Sequence, residues 1–170
     1  MKLLATIKDE KSDAVSEEQY VFRMAARAVL FDDEGKVAIL HVSKDNYHKL
    51  PGGGIEEGEN IEQALNREIK EEVGCEMEIG QEIGSVIEYK NYPDGTNLKH
   101  ESICYFGKLK GEKGIVQFSE EEADRGFELA WVSLDEAINL LENDNPSDYH
   151  GKFIKQRDSV FLREARNLIK

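Results

Sequence analysis

The stretch NREIKEEVG, Asn66 to Gly74, gathers carboxylates at a spacing that suits metal chemistry. With the preceding residues IEQAL it predicts a helix that begins after Asn60 and ends at the glycine. At about 100° per residue, Glu68 and Glu72 fall inside the apolar stripe of this helix and Glu71 lies at its margin. Carboxylates on the side that packs against the protein need a compensating cation, and a hard divalent ion is the natural partner. For this run taken alone, a solvated acidic helix with imperfect periodicity is the alternative.

A glycine-rich segment, LPGGGIEEGE, lies directly before the predicted helix. Pro51 and the glycines Gly52–Gly54 are expected to break the preceding strand and to let the backbone approach another group closely. Such a turn offers carbonyl groups to a metal or N–H groups to a phosphate. The sequence does not match the P-loop, because Gly58 is followed by Glu59 and Asn60. It does not match the dinucleotide-binding glycine motif either, because Glu57 occupies the last glycine position.

Joined together, the two segments form one spaced pattern: Gly53, five residues, Glu59, seven residues, and then REIKEEVGC from Arg67 to Cys75. This pattern resembles the Nudix box, G-x5-E-x7-R-E-U-x-E-E-x-G-U, in which U is a bulky aliphatic residue. Every charged and glycine position matches at the correct spacing. The single departure is Cys75 at the last U position, a small apolar residue that can still pack. The matched box covers residues 53–75.

The resemblance implies a fold and an activity. The implied fold is α/β, a Nudix-type α/β/α sandwich with a mixed β-sheet between helices. The implied activity is a metal-dependent pyrophosphohydrolase that cleaves the phosphoanhydride bond in the diphosphate linkage of a nucleoside diphosphate derivative. A modified nucleoside triphosphate, a dinucleoside polyphosphate or a nucleotide sugar would each fit. Water attacks one phosphorus, and Mg²⁺, with Mn²⁺ as a substitute, neutralises the phosphate oxygens.

The resemblance also assigns the metal ligands. Glu68 and Glu72 are the principal ligands, and Glu71 is a further ligand or a base. The carbonyl of Gly52, or of its neighbour Gly53, completes the set. Gly53 is in addition a candidate for contact with the substrate phosphates, since it lies in the glycine turn.

Three further residues are candidates near the box. By resemblance Arg67 should hold the box together by pairing with a carboxylate, for which Glu59 is the candidate. Lys44 and His48 lie between a predicted strand and the glycine turn, within expected reach of a substrate phosphate. For both of them an ordinary surface role is at least as well supported by the sequence.

A second catalytic base is expected from a segment outside the box, QFSEEEADRGFE. Its candidates are Glu120, Glu121 and Glu122, which precede a predicted strand that carries Trp131. The sequence does not choose among the three, and at least two of them are expected to be solvated surface charges. Glu101 is a more distant alternative.

Composition and charge limit the remaining possibilities. A chain of 170 residues is expected to form one domain, residues 1–170, with its own core. The net charge of −13 argues against a general nucleic-acid surface, and it repels a phosphorylated substrate unless a local cation reverses the field. The N-terminal apolar run is too short for a membrane span, and two cysteines suit reduced thiols in the cytoplasm. A homodimer is left open.

Two other functional classes stay open at this point. One is a Nudix-like nucleotide-binding or sensor domain without turnover, although such domains often lose box glutamates and none is missing here. The other is an isomerase of the isopentenyl diphosphate type, which is disfavoured because the Cys and His pattern of that class is not evident.

The pattern along the chain predicts alternating strands and helices around the box. Apolar, β-branched runs separated by turn residues predict the strands, and an apolar stripe at helical spacing predicts the helices. The predicted strands are MKLLATIK, YVFRMAARAVLFD, KVAILHVSK, YHKLPGG, MEIGQEIGSVIEYK, SICYFGKLKG and ELAWVSL. The predicted helices are the box helix, DEAINLLEND after Ser133, and the amphipathic FIKQRDSVFLREARNLIK at the end.

Overall fold

The structure, a computed structural model, describes residues 1–169. Within that range eight strands and four α-helices follow each other in a mixed order. The strands are β1 (Leu3–Lys8), β2 (Val21–Phe31), β3 (Val37–Val42), β4 (Tyr47–Lys49), β5 (Gly52–Gly54), β6 (Glu76–Asn91), β7 (Asn97–Lys110) and β8 (Phe127–Val132). The helices are α1 (Ile61–Glu72), α2 (Glu120–Asp124), α3 (Leu134–Asn143) and α4 (Tyr149–Leu168).

The strands form one mixed sheet in the order β1-β6-β7-β2-β3-β4, with β5 paired to β2 and β8 paired to β3. Two neighbouring pairs are parallel, β1 with β6 and β2 with β7, and the other pairs are antiparallel. The long central strand β2 therefore carries β7 along one edge and the short glycine strand β5 along the other. This arrangement brings the glycine segment against the middle of the sheet.

Helices cover both faces of the sheet, as the fold prediction requires. Successive side chains of β2 alternate between the faces, so that Ala28 packs with α1 and Val29 packs with the helices on the opposite side. One core contains Leu65 and Ile69 of α1, and the other contains residues of α3 and α4 such as Phe161. The predicted sandwich with a mixed sheet is confirmed. None of the helices described here, within residues 1–169, is long and apolar enough to cross a membrane.

Several element boundaries differ from the prediction. The glycines Gly52–Gly54 were expected to form a turn, but they pair with β2 as a strand. Strand β7 begins at Asn97, because a tight turn closed between Tyr92 and Thr96 replaces the longer loop expected there. Helix α4 begins four residues earlier than predicted, since the side chain of Asp148 accepts a hydrogen bond from the Gly151 N–H and caps it.

A buried group of charges links α4 to the segment that leads into the box. Arg157 donates to the Asp158 carboxylate over 2.7 Å and lies 3.5 Å from Glu88. The second oxygen of Asp158 accepts the backbone N–H of Leu50 at 2.8 Å. All three side chains are essentially excluded from solvent. The terminal helix therefore fixes the backbone two residues before Gly52.

We expect the buried charges of Arg157, Asp158 and Glu88 to contribute to the stability of the fold. Burial alone would raise the pKa of Glu88, but Arg157, His100 and Lys90 together hold it well below its usual range. Removing the guanidinium in Arg157→Met should lower the free energy of unfolding by about 3–5 kcal/mol, because it leaves buried carboxylates uncompensated. Urea unfolding at neutral pH measures the loss of stability. A change under about 1 kcal/mol would contradict a stabilising role for Arg157 beside the buried carboxylates.

The same variant should respond to acid in a defined direction. A depressed carboxyl pKa contributes stability that is present above the unfolded value, about 4.3, and is lost as the pH falls below it. In Arg157→Met the pKa of Glu88 is higher than in wild type because one of its cationic neighbours is gone, so the carboxyl takes up a proton at a higher pH. The difference in stability between wild type and variant should therefore shrink below about pH 4.

Candidate active site

The box helix α1 is fixed at both ends by its own sequence. The Asn60 side chain accepts the Gln63 N–H, and the Gln63 side chain accepts the Asn60 N–H, each at 2.9 Å. The helix stops at Glu72, and Gly74 follows with φ +72°, a conformation that favours glycine. The predicted cap and stop are both confirmed, so the rotation of the helix about its axis follows the sequence pattern.

Gly52 and Gly53 bring the backbone close to the helix and to β2. Gly52 has φ +125°, and a Cβ there would meet Arg27 Cα at 2.9 Å. A Cβ on Gly53 would overlap the Glu68 carboxylate. Both positions therefore require glycine, one against the sheet and one against a predicted metal ligand.

Glu72 is buried, with 1% of its surface exposed, as its place in the apolar stripe predicted. Its Oε1 receives the ammonium of Lys49 at 2.5 Å, and its Oε2 accepts the Gly52 N–H at 2.7 Å. Burial raises the pKa of Glu72, while the neighbouring Lys49 opposes that rise. A divalent ion was expected to compensate this carboxylate, whereas the group that the structure places beside it is the ammonium of Lys49.

Arg67 connects the parts of the box, and its predicted pairing with Glu59 is confirmed. Its Nε and Nη2 donate to the two oxygens of Glu59 at 2.7 and 2.8 Å. Nη2 also reaches the Gly54 carbonyl at 3.1 Å, and Nη1 donates to Glu68 at 2.6 Å. The hydrogen bonds from Arg67 lower the pKa of Glu59 to about 2. The guanidinium thus holds the glycine strand, the loop and the helix together.

Glu71 differs from the other two box glutamates in being about half exposed. Partial burial raises its pKa, and the nearby carboxylates of Glu68 and Glu122 raise it further. Its backbone carbonyl accepts the Gln117 N–H at 2.7 Å, which ties the segment before α2 to the end of α1. The three box glutamates therefore occupy different environments within one turn of helix.

A cavity of about 270 Å³ opens above this group and is lined by residues from distant parts of the chain. It brings together box carboxylates, carboxylates of α2, and cationic side chains from three other segments. Its charged and titratable lining residues are Glu68, Glu72, Glu121, Glu122, Arg27, Lys49, Arg125 and His150. The cavity therefore combines carboxylates, the kind of group that holds a divalent cation, with cationic side chains, the kind of group that holds phosphate. We call it the catalytic lobe.

The second-base candidates do not share one position. Glu121 and Glu122 line the catalytic lobe, whereas Glu120, on the same short helix, is not part of the lining among the described residues. The segment was expected to be a loop, but it forms α2, in which Ser119 and Glu122 cap each other reciprocally. Arg125 anchors its end through Asp45, with Nη2 2.7 Å from the carboxylate.

The predicted phosphate contacts are also divided. Gly53 lines the catalytic lobe. His48 lies elsewhere, with its backbone N–H and Nδ1 on the Asp144 carboxylate at 2.6 and 2.8 Å and its ring stacked on His41. Lys44 is exposed and, within residues 1–169, is not among the residues that line the lobe. The structure therefore brings one of the three candidates to the site.

None of the four basic or histidine residues of this lining was predicted: Arg27, Lys49, Arg125 and His150. Arg27 lies in the apolar half of β2, which also contains the exposed Arg23, and an arginine flanked by apolar residues indicates a buried charge with a specific role. Its guanidinium donates to the Gly52 carbonyl, and its Nε has no hydrogen-bond partner among residues 1–169. Lys49 and His150 gave no comparable signal, because only the tertiary structure brings them to the box.

The donors present fit a hard divalent cation. Glu68 and Glu72 supply oxygen ligands from adjacent turns of one helix face, with Glu71 beside them. Within residues 1–169 no three acidic, histidine or cysteine side chains converge in a ready-made metal cluster, and Lys49 occupies the cation position beside Glu72. A bound cation would replace the ammonium there. The Gly52 carbonyl, predicted as a ligand, is engaged by Arg27.

Comparison with known proteins gives consistent matches. The family model described as "NUDIX domain" matches residues 21–155. The chain is 32% identical over 136 residues to an RNA pyrophosphohydrolase of Wolbachia pipientis subsp. Culex pipiens, covering 78% of this chain and 73% of that protein. It is 37% identical over 97 residues to the nucleoside triphosphatase NudI of Enterobacter sp., covering 55% and 65%. The MutT protein from Methanosarcina mazei Go1 superposes with a TM-score of 0.59 at 19% identity over 92% of this chain and 100% of that chain, which is a likeness of fold.

Proposed function

This chain belongs to the Nudix hydrolase family, and from that membership we propose that it is a metal-dependent pyrophosphohydrolase of a nucleoside diphosphate derivative. The observation that carries the proposal is the catalytic lobe, where the buried Glu72 and its neighbour Glu68 face the cations Arg27, Lys49 and Arg125. Enzymes that hydrolyse phosphoanhydrides need both kinds of group, one to hold metal and one to hold phosphate.

The side chains divide the chemistry between them. The guanidinium groups of Arg27 and Arg125 and the ammonium of Lys49 bind phosphate oxygens and offset the net charge of −13, which would otherwise repel the substrate. Mg²⁺ held by Glu68 and Glu72, with Glu71, would supply further charge neutralisation and activate water. A carboxylate in the lobe accepts the proton of the attacking water. The bond from the water oxygen to one phosphorus forms as the bridging P–O bond breaks, and the neighbouring phosphate departs as an anion stabilised by the cations.

A panel of substrates tests the proposal. We expect Mg²⁺-dependent cleavage of the phosphoanhydride linkage in at least one class of substrate. Nucleoside triphosphates would release phosphate or pyrophosphate, dinucleoside polyphosphates would give two nucleotides, and nucleotide sugars would give a nucleoside monophosphate and a sugar phosphate. The alternative is a nucleotide-binding or sensor domain. Saturable binding of these compounds without any turnover, with Mg²⁺ or Mn²⁺ present, would favour that alternative. The complete set of box glutamates favours the enzyme.

The rate of hydrolysis should fall at acidic pH. Burial raises the pKa of Glu72 and of Glu71, and both must be carboxylates to hold metal or accept a proton. Lowering the pH through these raised pKa values removes the active ionised form, so the rate should rise from acidic to neutral and mildly alkaline pH. The measurement is the pH profile of the rate at saturating Mg²⁺, and a maximum at about pH 5 or below would contradict the assignment.

A further inference from the structure

The connection between β4 and β5 carries the backbone that contacts the box helix. On one side of it Lys49 places its ammonium on Glu72 Oε1, and on the other side Gly52 donates its N–H to Glu72 Oε2 at 2.7 Å. Only Leu50 and Pro51 lie between these two residues. Because consecutive Cα atoms are held about 3.8 Å apart, a displacement of Leu50 and Pro51 would move both contacts with Glu72.

Backbone hydrogen bonding within this connection is sparse. The ladder between β3 and β4 ends at Lys49, and Pro51 has no N–H to donate. The Pro51 carbonyl accepts the Ala28 N–H at 3.1 Å. The Leu50 N–H is therefore the single backbone donor between Lys49 and Gly52. Leu50 is fully buried, so this donor requires a partner inside the fold.

The partner of this donor comes from the opposite face of the sheet. Asp158 belongs to α4, which packs on the face that α1 does not cover. Its Oδ2 accepts the Leu50 N–H at 2.8 Å, and the side chain is excluded from solvent. A carboxylate forms stronger hydrogen bonds with a backbone N–H than a neutral acceptor does. The connection is therefore tied firmly to α4 at Leu50.

Arg157 fixes the orientation of the Asp158 carboxylate. Its Nε and Nη2 donate to the two carboxylate oxygens at 2.7 and 3.2 Å. Its Nη1 lies 3.5 Å from Glu88, which belongs to β6. The position of the carboxylate relative to Leu50 is therefore held by an ion pair that is anchored in the sheet as well as by the helix.

We infer that Asp158 is a positioning residue for the metal site, because it fixes the Leu50 N–H and with it the approach of Lys49 and Gly52 to Glu72. This inference rests on the proposed function, in which Glu72 holds a divalent cation. Within residues 1–169 Asp158 makes no hydrogen bond to a box glutamate, so it acts through the backbone. Groups that orient metal ligands from outside the coordination shell typically contribute about 10- to 100-fold to metal affinity.

Asp158→Ala tests the inference, with Glu88→Gln as the matched control. Both substitutions remove a buried negative charge beside Arg157, but only the first removes the acceptor of the Leu50 N–H. In Asp158→Ala we expect the Kd of Mn²⁺, measured by electron paramagnetic resonance without substrate, to rise by about 10- to 100-fold. In Glu88→Gln it should stay near the wild-type value. The ion that is counted is the one lost in Glu72→Gln, and urea unfolding defines conditions in which the variants are folded.

Hydrogen exchange in the wild-type protein gives a second measurement, which needs no variant. By linkage, a contact that strengthens metal binding is itself strengthened when the metal binds. Mg²⁺ should therefore slow the exchange of the Leu50 amide relative to that of the Asn91 amide. The Asn91 N–H is a matched reference, because it donates to a side chain of the same helix, the Tyr149 hydroxyl at 3.0 Å.

Two results would overturn the inference. One is a Mn²⁺ Kd that is unchanged in Asp158→Ala, or that rises equally in Asp158→Ala and Glu88→Gln, since Asp158 would then contribute to stability alone. The other is exchange at Leu50 that does not slow relative to Asn91 when Mg²⁺ is added. Failure of the proposed function has a different signature, because the wild-type protein would then hydrolyse no diphosphate, whereas the Mn²⁺ and exchange measurements use no substrate.

Discussion

Glutamine in place of Glu72 should nearly abolish hydrolysis, lowering kcat by on the order of 10³-fold. The substitution removes a buried charge that a divalent cation needs, while the side chain keeps its size. The Gly52 N–H can still donate to the amide oxygen, so the backbone contact that now measures 2.7 Å has a replacement. The nearly buried Lys49 loses its charged partner in this variant, so some stability is lost as well, and the rate is to be compared under conditions in which the variant is folded.

Two further measurements separate these effects. Mn²⁺ binding followed by electron paramagnetic resonance should weaken in Glu72→Gln, and urea unfolding shows whether the protein remains folded. Glu62→Gln is the matched control, since Glu62 is an exposed glutamate on the same helix that lies outside the catalytic lobe. A Glu72→Gln protein with the wild-type rate at saturating substrate would refute the assignment of Glu72 as a ligand.

Glu72 and Lys49 form a nearly buried ion pair at the site. A carboxylate that is 1% exposed would be costly to keep ionised, and the ammonium 2.5 Å away offsets that cost. Lys49 is itself nearly buried, at 8%, and its ammonium lies 5.1 Å from the centre of the Phe127 ring. The Glu72 carboxylate is thus compensated within the fold by the ammonium of Lys49.

The sequence was sufficient to predict which way the box helix faces. The periodicity placed Glu68 and Glu72 toward the packed side, and in the structure Glu72 is buried while the Glu68 side chain is 12% exposed. The cap at Asn60 and the stop at Gly74 were also predicted, because these signals are local and follow from hydrogen bonds within a few residues. The Arg67–Glu59 pair followed from the family resemblance and is present.

The sequence could not supply the contacts made across the fold. Lys49, Arg27 and Arg125 reach the catalytic lobe from three separate strands or their ends, and no local pattern specifies that meeting. Parallel pairing of β2 with β7 is similarly non-local, because the two strands are separated by the whole box. The early start of α4 had a local signal in Asp148, but Gly151 weakened the helical pattern behind it.

A glutamate of α2 should act on the attacking water, and its replacement by glutamine should lower kcat by about 10²- to 10⁴-fold. Glu121 and Glu122 are the two that line the catalytic lobe beside Glu68 and Glu72. Glu120 is adjacent in sequence but outside the lining, and it should tolerate the same change within a few-fold. It therefore serves as the control for any loss of helix charge or stability.

Glu122 needs a separate argument because it also caps its helix. Its carboxylate accepts the Ser119 N–H at 2.8 Å, and glutamine at this position can make the same contact. A fall in kcat in Glu122→Gln, with unchanged unfolding, would then reflect chemistry at the lobe. The Glu121 side chain makes no capping contact among residues 1–169, so its carboxylate is available to accept a proton.

The competing base is Glu71, which lies at the margin of the site with a raised pKa caused by partial burial and by Glu68. Single glutamine variants at Glu71, Glu120, Glu121 and Glu122, assayed together at saturating Mg²⁺ and substrate, distinguish the two positions for the base. A drop confined to Glu121 or Glu122 supports α2 as its source, because only those side chains combine access to the lobe with freedom from the box network. Near-wild-type kcat in all three α2 variants would move the base to Glu71 or to Glu101, and α2 would then serve only to close the side of the lobe.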